Sequence, residues 1–175
     1  MKVFFAAIAA MMLVVTSSNY LVQFPFIWFG DYLTYGAFTY PFAFLVTDLT
    51  NRLLGPARAR QVVYAGFALG VLLSIYMATP RIALASGSAF LIGQLLDITV
   101  FNRLRTLSWW KAPLFASAFG SVIDTALFFS LAFAGTDVPW HTLALGDLCV
   151  KLSMALLLLT PFRLAVSYWS LRDAR

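Results

Sequence analysis

Gly93-Gln94-Leu95-Leu96-Asp97-Ile98-Thr99-Val100-Phe101-Asn102-Arg103-Leu104-Arg105 begins inside an apolar run and ends in positive charge. A carboxylate and an amide lie within the run, and an amide and two guanidiniums stand where it meets water. A shorter version occurs upstream as Asp48-Leu49-Thr50-Asn51-Arg52-Leu53. Such a boundary is the inner edge of a membrane helix, where lysine and arginine collect on the cytoplasmic side.

The rest of the chain agrees. Its 175 residues are 62% hydrophobic and 11% charged, where a soluble domain carries about 25% charged residues. The mean hydropathy of +0.87 points the same way. A soluble fold this apolar would have no polar surface, so the sequence reads as an all-α polytopic membrane protein in one membrane domain, residues 1–175. The net charge of +5 does not argue for nucleic acid, because the basic residues fall in short clusters between apolar runs. A lone cysteine, Cys149, permits neither an internal disulfide nor a cysteine metal site.

Six runs are long enough to span, at roughly 3–23, 36–52, 61–79, 82–101, 113–135 and 141–162. The second is the shortest, and the third and fourth are separated only by a tight turn at Pro80-Arg81. Lys2 precedes the first run. Arg52, Arg58 and Arg60 follow the second, Arg103, Arg105 and Lys111 the fourth, and Arg163, Arg172 and Arg175 the sixth. Arg81 is alone on the other side, with Asp31 and Asp137. The positive-inside rule places both termini in the cytoplasm. Trp109-Trp110, Trp140 and Trp169 fall near the expected interfaces. Thr16-Ser17-Ser18-Asn19-Tyr20 leads into more apolar sequence with no clear cleavage site, so the first run reads as a retained helix.

Small residues mark the packing faces. Gly66 and Gly70 form a GxxxG pattern in the third run. Ala85, Ala89 and Gly93 recur every fourth residue and lead to Asp97; Ala116 and Gly120 lead to Asp124. A stripe that packs tightly and then turns polar faces a neighbouring helix. These stripes also permit a homodimer. Asp48, Asp97 and Asp147, each followed by an aliphatic residue and then a cation, suggest a short parallel repeat.

An ionisable group inside a bilayer costs about 2.5–3.5 kcal/mol on insertion scales, so each needs a partner or a task. Asn19 and Gln23 share a face of the first helix, either as interhelical hydrogen bonds or as amides for a heterocyclic ligand. At the end of the second, Arg52 either neutralises Asp48 on its way to the interface or leaves it for other work. Gln94 and Asp97 lie above the basic edge of the fourth, where topology explains nothing. Asp124, near the middle of the fifth, is protonated, paired with Lys151 or used for a ligand. Asp147 and Lys151 are spaced for an intrahelical ion pair, although Lys151 has Asp124 as an alternative partner.

Enzyme chemistry finds no support. His141 is the single histidine, which excludes a His-rich metal site, and no serine motif surrounds it. No Gly-rich phosphate loop is present. No cofactor or metal is expected.

Taken together, Thr16–Gln23 as Thr16-Ser17-Ser18-Asn19-Tyr20-Leu21-Val22-Gln23, Gly36-Ala37-Phe38, Thr47-Asp48-Leu49-Thr50, Gly93-Gln94 with Asp97, Val100-Phe101-Asn102-Arg103-Leu104-Arg105, Gly120 with Asp124-Thr125, and Asp147 with Lys151 resemble the queuosine precursor transporter (vitamin uptake transporter) family. The resemblance runs in order along nearly the whole chain. It implies a six-helix bacterial inner-membrane protein that imports 7-deazaguanines such as preQ0 and preQ1 for queuosine salvage, with distant similarity to the substrate-binding subunits of energy-coupling-factor vitamin transporters. The turn at Pro80-Arg81 is shorter than the excursion expected of the family, and no contact is carried over to it.

A 7-deazaguanine presents neighbouring N–H donors beside a carbonyl. A carboxylate accepts two such donors, and an amide complements the rest. The candidate substrate residues are Asn19, Gln23, Asp48, Gln94, Asp97, Asp124 and Lys151. Two alternatives stand beside import: a binding subunit that needs a separate energising module, and a membrane scaffold without a small ligand.

Overall fold

The computed structural model describes residues 1–24, 26 and 33–173. Asp31 and Arg175, part of the charge balance above, lie outside them. The described chain is all-helical: α1 (Lys2–Leu21), α2 (Gly36–Thr39), α3 (Pro41–Leu54), α4 (Pro56–Met77), α5 (Pro80–Leu104), α6 (Lys111–Phe133), α7 (Trp140–Leu157) and α8 (Leu159–Asp173). Four helices, α1, α4, α5 and α6, are individually long and apolar enough to cross a membrane. A fifth such segment, Trp140–Ser170, comprises α7 and most of α8.

Prolines explain the departures from the expected boundaries. Pro41 has no N–H and its ring crowds the carbonyl of Ala37, so the second expected span is divided into α2 and α3 at Tyr40. Pro161 does the same to the carbonyl of Leu157, and the helix resumes at Leu159 as α8 and runs well past residue 162. Pro56 starts α4 directly after Gly55, whose φ of 85° makes the reversal. That helix therefore begins at 56 and not 61. The third and fourth spans are separated at Ala78 and Thr79, not at Pro80-Arg81. Pro80 is the first residue of α5, and the Thr79 hydroxyl caps it by accepting from the Ile82 N–H.

The small-residue stripes are the packing faces. α5 and α6 pack along their length, crossing at Gly93 and Gly120. A Cβ on Gly93 would stand 3.2 Å from the Gly120 carbonyl, and one on Gly120 only 2.6 Å from Phe44 Cε1. Gly66 and Gly70 face α1, where a Cβ would lie 2.6 Å from Met11 Cγ and 3.4 Å from Val15 Cγ1 respectively. Met11, Val15, Val62, Val63, Phe90 and Ile98 make one apolar core, which ties α1 into the bundle. Phe101, Ala112, Ala116 and Phe162 make a second, under α8. Apolar side chains such as Leu84, Leu157 and Leu164 point outward, as a lipid-facing surface does.

The two ends of the bundle differ in charge. At one end Arg52 donates to the Arg105 carbonyl (3.1 Å) and Arg105 returns a bond to the Arg52 carbonyl (2.7 Å). Arg58 lies over Phe4 and Arg163 over Trp109 at the same end. At the other end Arg81 closes α6, donating to the carbonyls of Leu131 (2.9 Å) and Ala134 (2.5 Å).

Candidate functional site: a charged cavity between the helices

A cavity of about 560 Å³ opens at the Arg81 end. Its mouth is formed by Thr34 before α2, Ala78 and Thr79 between α4 and α5, and Phe133 at the end of α6. Ser18 and Asn19 of α1 line one side, and Phe128, Phe129 and Phe133 of α6 another. The volume falls within the range of small-molecule sites, about 300–1,000 Å³.

The floor is ionic. Lys151 of α7 donates to Asp124 Oδ2 of α6 at 2.7 Å and pairs with Asp147 Oδ2 on its own helix at 2.5 Å. Its third proton goes to Thr125 Oγ1 at 3.1 Å, and the Thr125 hydroxyl donates to Asp147 Oδ2 at 2.8 Å. Tyr40 donates to Asp124 Oδ1 at 2.6 Å, and its ring lies 4.9 Å from the ammonium. The break imposed by Pro41 puts Tyr40 in this place. Both partners open to Lys151 in the sequence are thus used at once. With all three groups ionised, the floor carries two negative charges and one positive. Asp147 is the more open carboxylate: its side chain is 14% exposed against 4% for Asp124.

A second polar cluster lies deeper, between α3, α5 and α6. Thr47 donates to Gln94 Oε1 at 2.5 Å, Ser117 to Asp48 Oδ2 at 3.1 Å, and Asn51 Nδ2 to the Ile98 carbonyl at 3.4 Å. Asp48, Asn51, Gln94 and Asp97 are buried, and the Asp48 and Asp97 carboxyls are close enough to interact electrostatically. Arg52 does not neutralise Asp48. Its guanidinium is held by the Arg105 carbonyl, because one turn further along α3 it has already reached the basic end.

The candidates read from sequence are therefore divided. Asn19, Asp124 and Lys151 line the cavity. Asp48, Gln94 and Asp97 form the deeper cluster and do not line it. Gln23 is exposed beyond the last turn of α1, with a long contact of 3.5 Å to the Asn19 carbonyl. Asn19 is itself held by Val15 and Ser74, its amide donating to the Val15 carbonyl. The sequence reading missed Tyr40 and the phenylalanine wall, and gave Asp147 only a pairing role. The proline after Tyr40 was the available signal. Nothing separated Phe128, Phe129 and Phe133 from lipid-facing aromatics.

A multi-pass helical protein with a cavity that ends on buried charges has the architecture of a small-molecule transporter, since such groups within membrane helices mark ligand and ion pathways. The family described as "Putative vitamin uptake transporter" matches over residues 34–79 and 74–166, and the chain belongs to it. It is similar to the "Queuosine precursor transporter" of Escherichia coli, 40% identical over an alignment that covers 86% of this chain and 80% of the relative. It is 36% identical to the "Probable queuosine precursor transporter" of Haemophilus influenzae (85% of this chain, 79% of the relative) and 29% identical to that of Bacillus subtilis (84% and 77%). No solved structure matches. The chain is a multi-pass protein of the bacterial inner membrane and a transporter, not an enzyme.

Proposed function

We propose that the protein imports queuosine precursors, 7-deazaguanines such as preQ0 and preQ1, and binds them in the cavity above Asp124, Asp147 and Lys151. The observation that carries this reading is the ionic floor beneath an aromatic wall, in a cavity sized for a flat heterocycle. The names of the relatives support the substrate class.

In this reading Asp147 accepts the neighbouring N–H donors of the guanine-like edge, because it is the more open of the two carboxylates that line the cavity. Lys151 and Tyr40 hold Asp124 in place behind it. The ring stacks against Phe128, Phe129 or Phe133, and Asn19 offers an amide from α1. The net negative floor favours the cationic aminomethyl group of preQ1. Asp48, Gln94, Asp97 and Gln23 are left without a direct substrate contact.

We infer six spans, with α2 and α3 as one broken crossing. Residues 36–54 span about 28 Å at 1.5 Å per residue, close to a bilayer's hydrocarbon thickness. The basic end faces the cytoplasm, so both termini are inside and the cavity opens outward. Substrate then enters from outside, and a rearrangement opens the Arg52–Arg105 end. The cavity and its charges favour transport over a scaffold, whose polar groups would serve stability alone. The test is uptake of radiolabelled preQ0 and preQ1 into liposomes holding only the purified protein. Accumulation of label supports unaided import. Binding without uptake would assign the protein to a complex with an energising module.

A further inference from the structure

We propose that Asp48 and Asp97, with Asn51, form a monovalent-cation site that couples a proton or sodium ion to substrate movement. The coupling half of this inference rests on the transport reading above; the cation site does not.

Four buried acceptor oxygens in this cluster have no hydrogen-bond partner: Asp48 Oδ1, Asn51 Oδ1, Asp97 Oδ1 and Asp97 Oδ2. The only comparable donor among the described residues is Gln94 Nε2. Acceptors in such excess, three of them carboxylate oxygens, call for a positive species between them. The charged groups nearby do not supply it. On α3, Arg52 is bound to the Arg105 carbonyl, and just past the end of α5 Arg105 is bound to the Arg52 carbonyl. On α7, Lys151 is taken by Asp124 and Asp147. From α6 the facing polar groups are Ser117, Ser121 and the carboxylate of Asp124; α4 presents Ala59, Val62 and Val63, and α8 presents Phe162. Asn51 is fixed by its amide on Ile98, beside Asp97, which keeps its oxygen between α3 and α5.

A proton would join the Asp48 and Asp97 carboxyls as an O–H···O bond, one acid and one carboxylate. A sodium ion would take the oxygens directly, as hard cations do. Either is coupled to the cavity by position. Asp97 and Asp124 stand one turn beyond Gly93 and Gly120 on their respective helices. Asp97 Cβ would be 3.3 Å from a Cβ on Gly120, and Asp124 Cβ 3.0 Å from one on Gly93. The cation site and the cavity floor thus flank a single close helix crossing. Ser117 and Ser121 lie between Asp48 and Lys151 around a narrow void, which continues the polar path.

The test uses purified full-length protein. Thermal stability is compared in sodium chloride and choline chloride at equal ionic strength, and the protonated-carboxyl stretch is read by infrared spectroscopy. Sodium-specific stabilisation that Asp48→Asn and Asp97→Asn abolish establishes a sodium site. A protonated-carboxyl band that sodium does not alter, and that Asp97→Asn removes, establishes a proton site. Wild-type protein with neither sodium stabilisation nor such a band overturns the proposal, and this arm needs no variant to fold. In liposomes the two variants should lose gradient-driven accumulation of preQ1 while retaining exchange of labelled for unlabelled preQ1. Undiminished accumulation in both variants would refute the coupling. A cation signal without any preQ0 or preQ1 binding would refute the substrate reading alone.

Discussion

Lys151 bridges Asp124 and Asp147, reaching one carboxylate across the α6–α7 interface at 2.7 Å and the other along its own helix at 2.5 Å. This lysine is buried and spends its three protons on Asp124, Asp147 and Thr125. Lys151→Met should therefore leave two carboxylates together without a cation. Breaking a buried pair from one side costs about 3–5 kcal/mol. The expected outcome is a strong fall in melting temperature for Lys151→Met and a smaller one for Asp147→Asn, measured in detergent by differential scanning fluorimetry. Equal small losses would mean that the floor is not an ion-pair network.

Tyr40→Phe removes one hydroxyl and keeps the ring. Asp124 Oδ1 then loses its 2.6 Å donor. An unsatisfied buried acceptor costs about 1–3 kcal/mol, so stability should drop by that order. Precursor affinity should weaken with it, because Asp124 would no longer be held in place. Unfolding curves and a preQ1 titration on the same sample check both.

The Gly93–Gly120 crossing gives a steric prediction. Gly120→Val puts atoms where Phe44 Cε1 already stands, within 2.6 Å of the Cβ position. Overpacking of this kind costs about 1–3 kcal/mol and here also forces α5 from α6. Gly87→Ala meets Phe67 Cε2 at an ordinary 3.4 Å and should change stability by less than about 1 kcal/mol. Size-exclusion profiles and melting temperatures of the two variants should differ in that order.

These relationships are legible in the sequence to different degrees. Gly93-Asp97 and Gly120-Asp124 share a four-residue spacing, and that spacing correctly named the faces that meet. Basic clusters correctly grouped Arg52, Arg58, Arg105 and Arg163 at one end. The division of the site was not legible. Periodicity places Asp97 and Asp124 on inward faces of their helices. It cannot say that the two faces lead to different clusters on either side of one crossing. Tyr40 was invisible because its position depends on a local break at Pro41 and a contact 84 residues away in sequence. The helix ends moved because prolines at 41, 56, 80 and 161 act on backbone geometry, which hydropathy does not record.

Orientation is open to chemical labelling. In a Cys149→Ser background, Thr79→Cys at the cavity mouth should react with a membrane-impermeant maleimide in cells with a permeable outer membrane and an intact inner membrane. Leu107→Cys, beside the basic end, should react only after the inner membrane is opened. The reverse pattern would place the cavity on the cytoplasmic side.

The central claim is that precursors bind on the ionic floor. Its most direct test is a calorimetric titration of preQ1 into wild-type protein and into Asp147→Asn and Asp97→Asn. Saturable binding is expected for wild type, loss of at least about tenfold in affinity (about 1.4 kcal/mol) for Asp147→Asn, and retained binding for Asp97→Asn. Wild-type affinity in a folded Asp147→Asn variant, or its loss in a folded Asp97→Asn alone, would contradict the assignment and move the site to the deeper cluster.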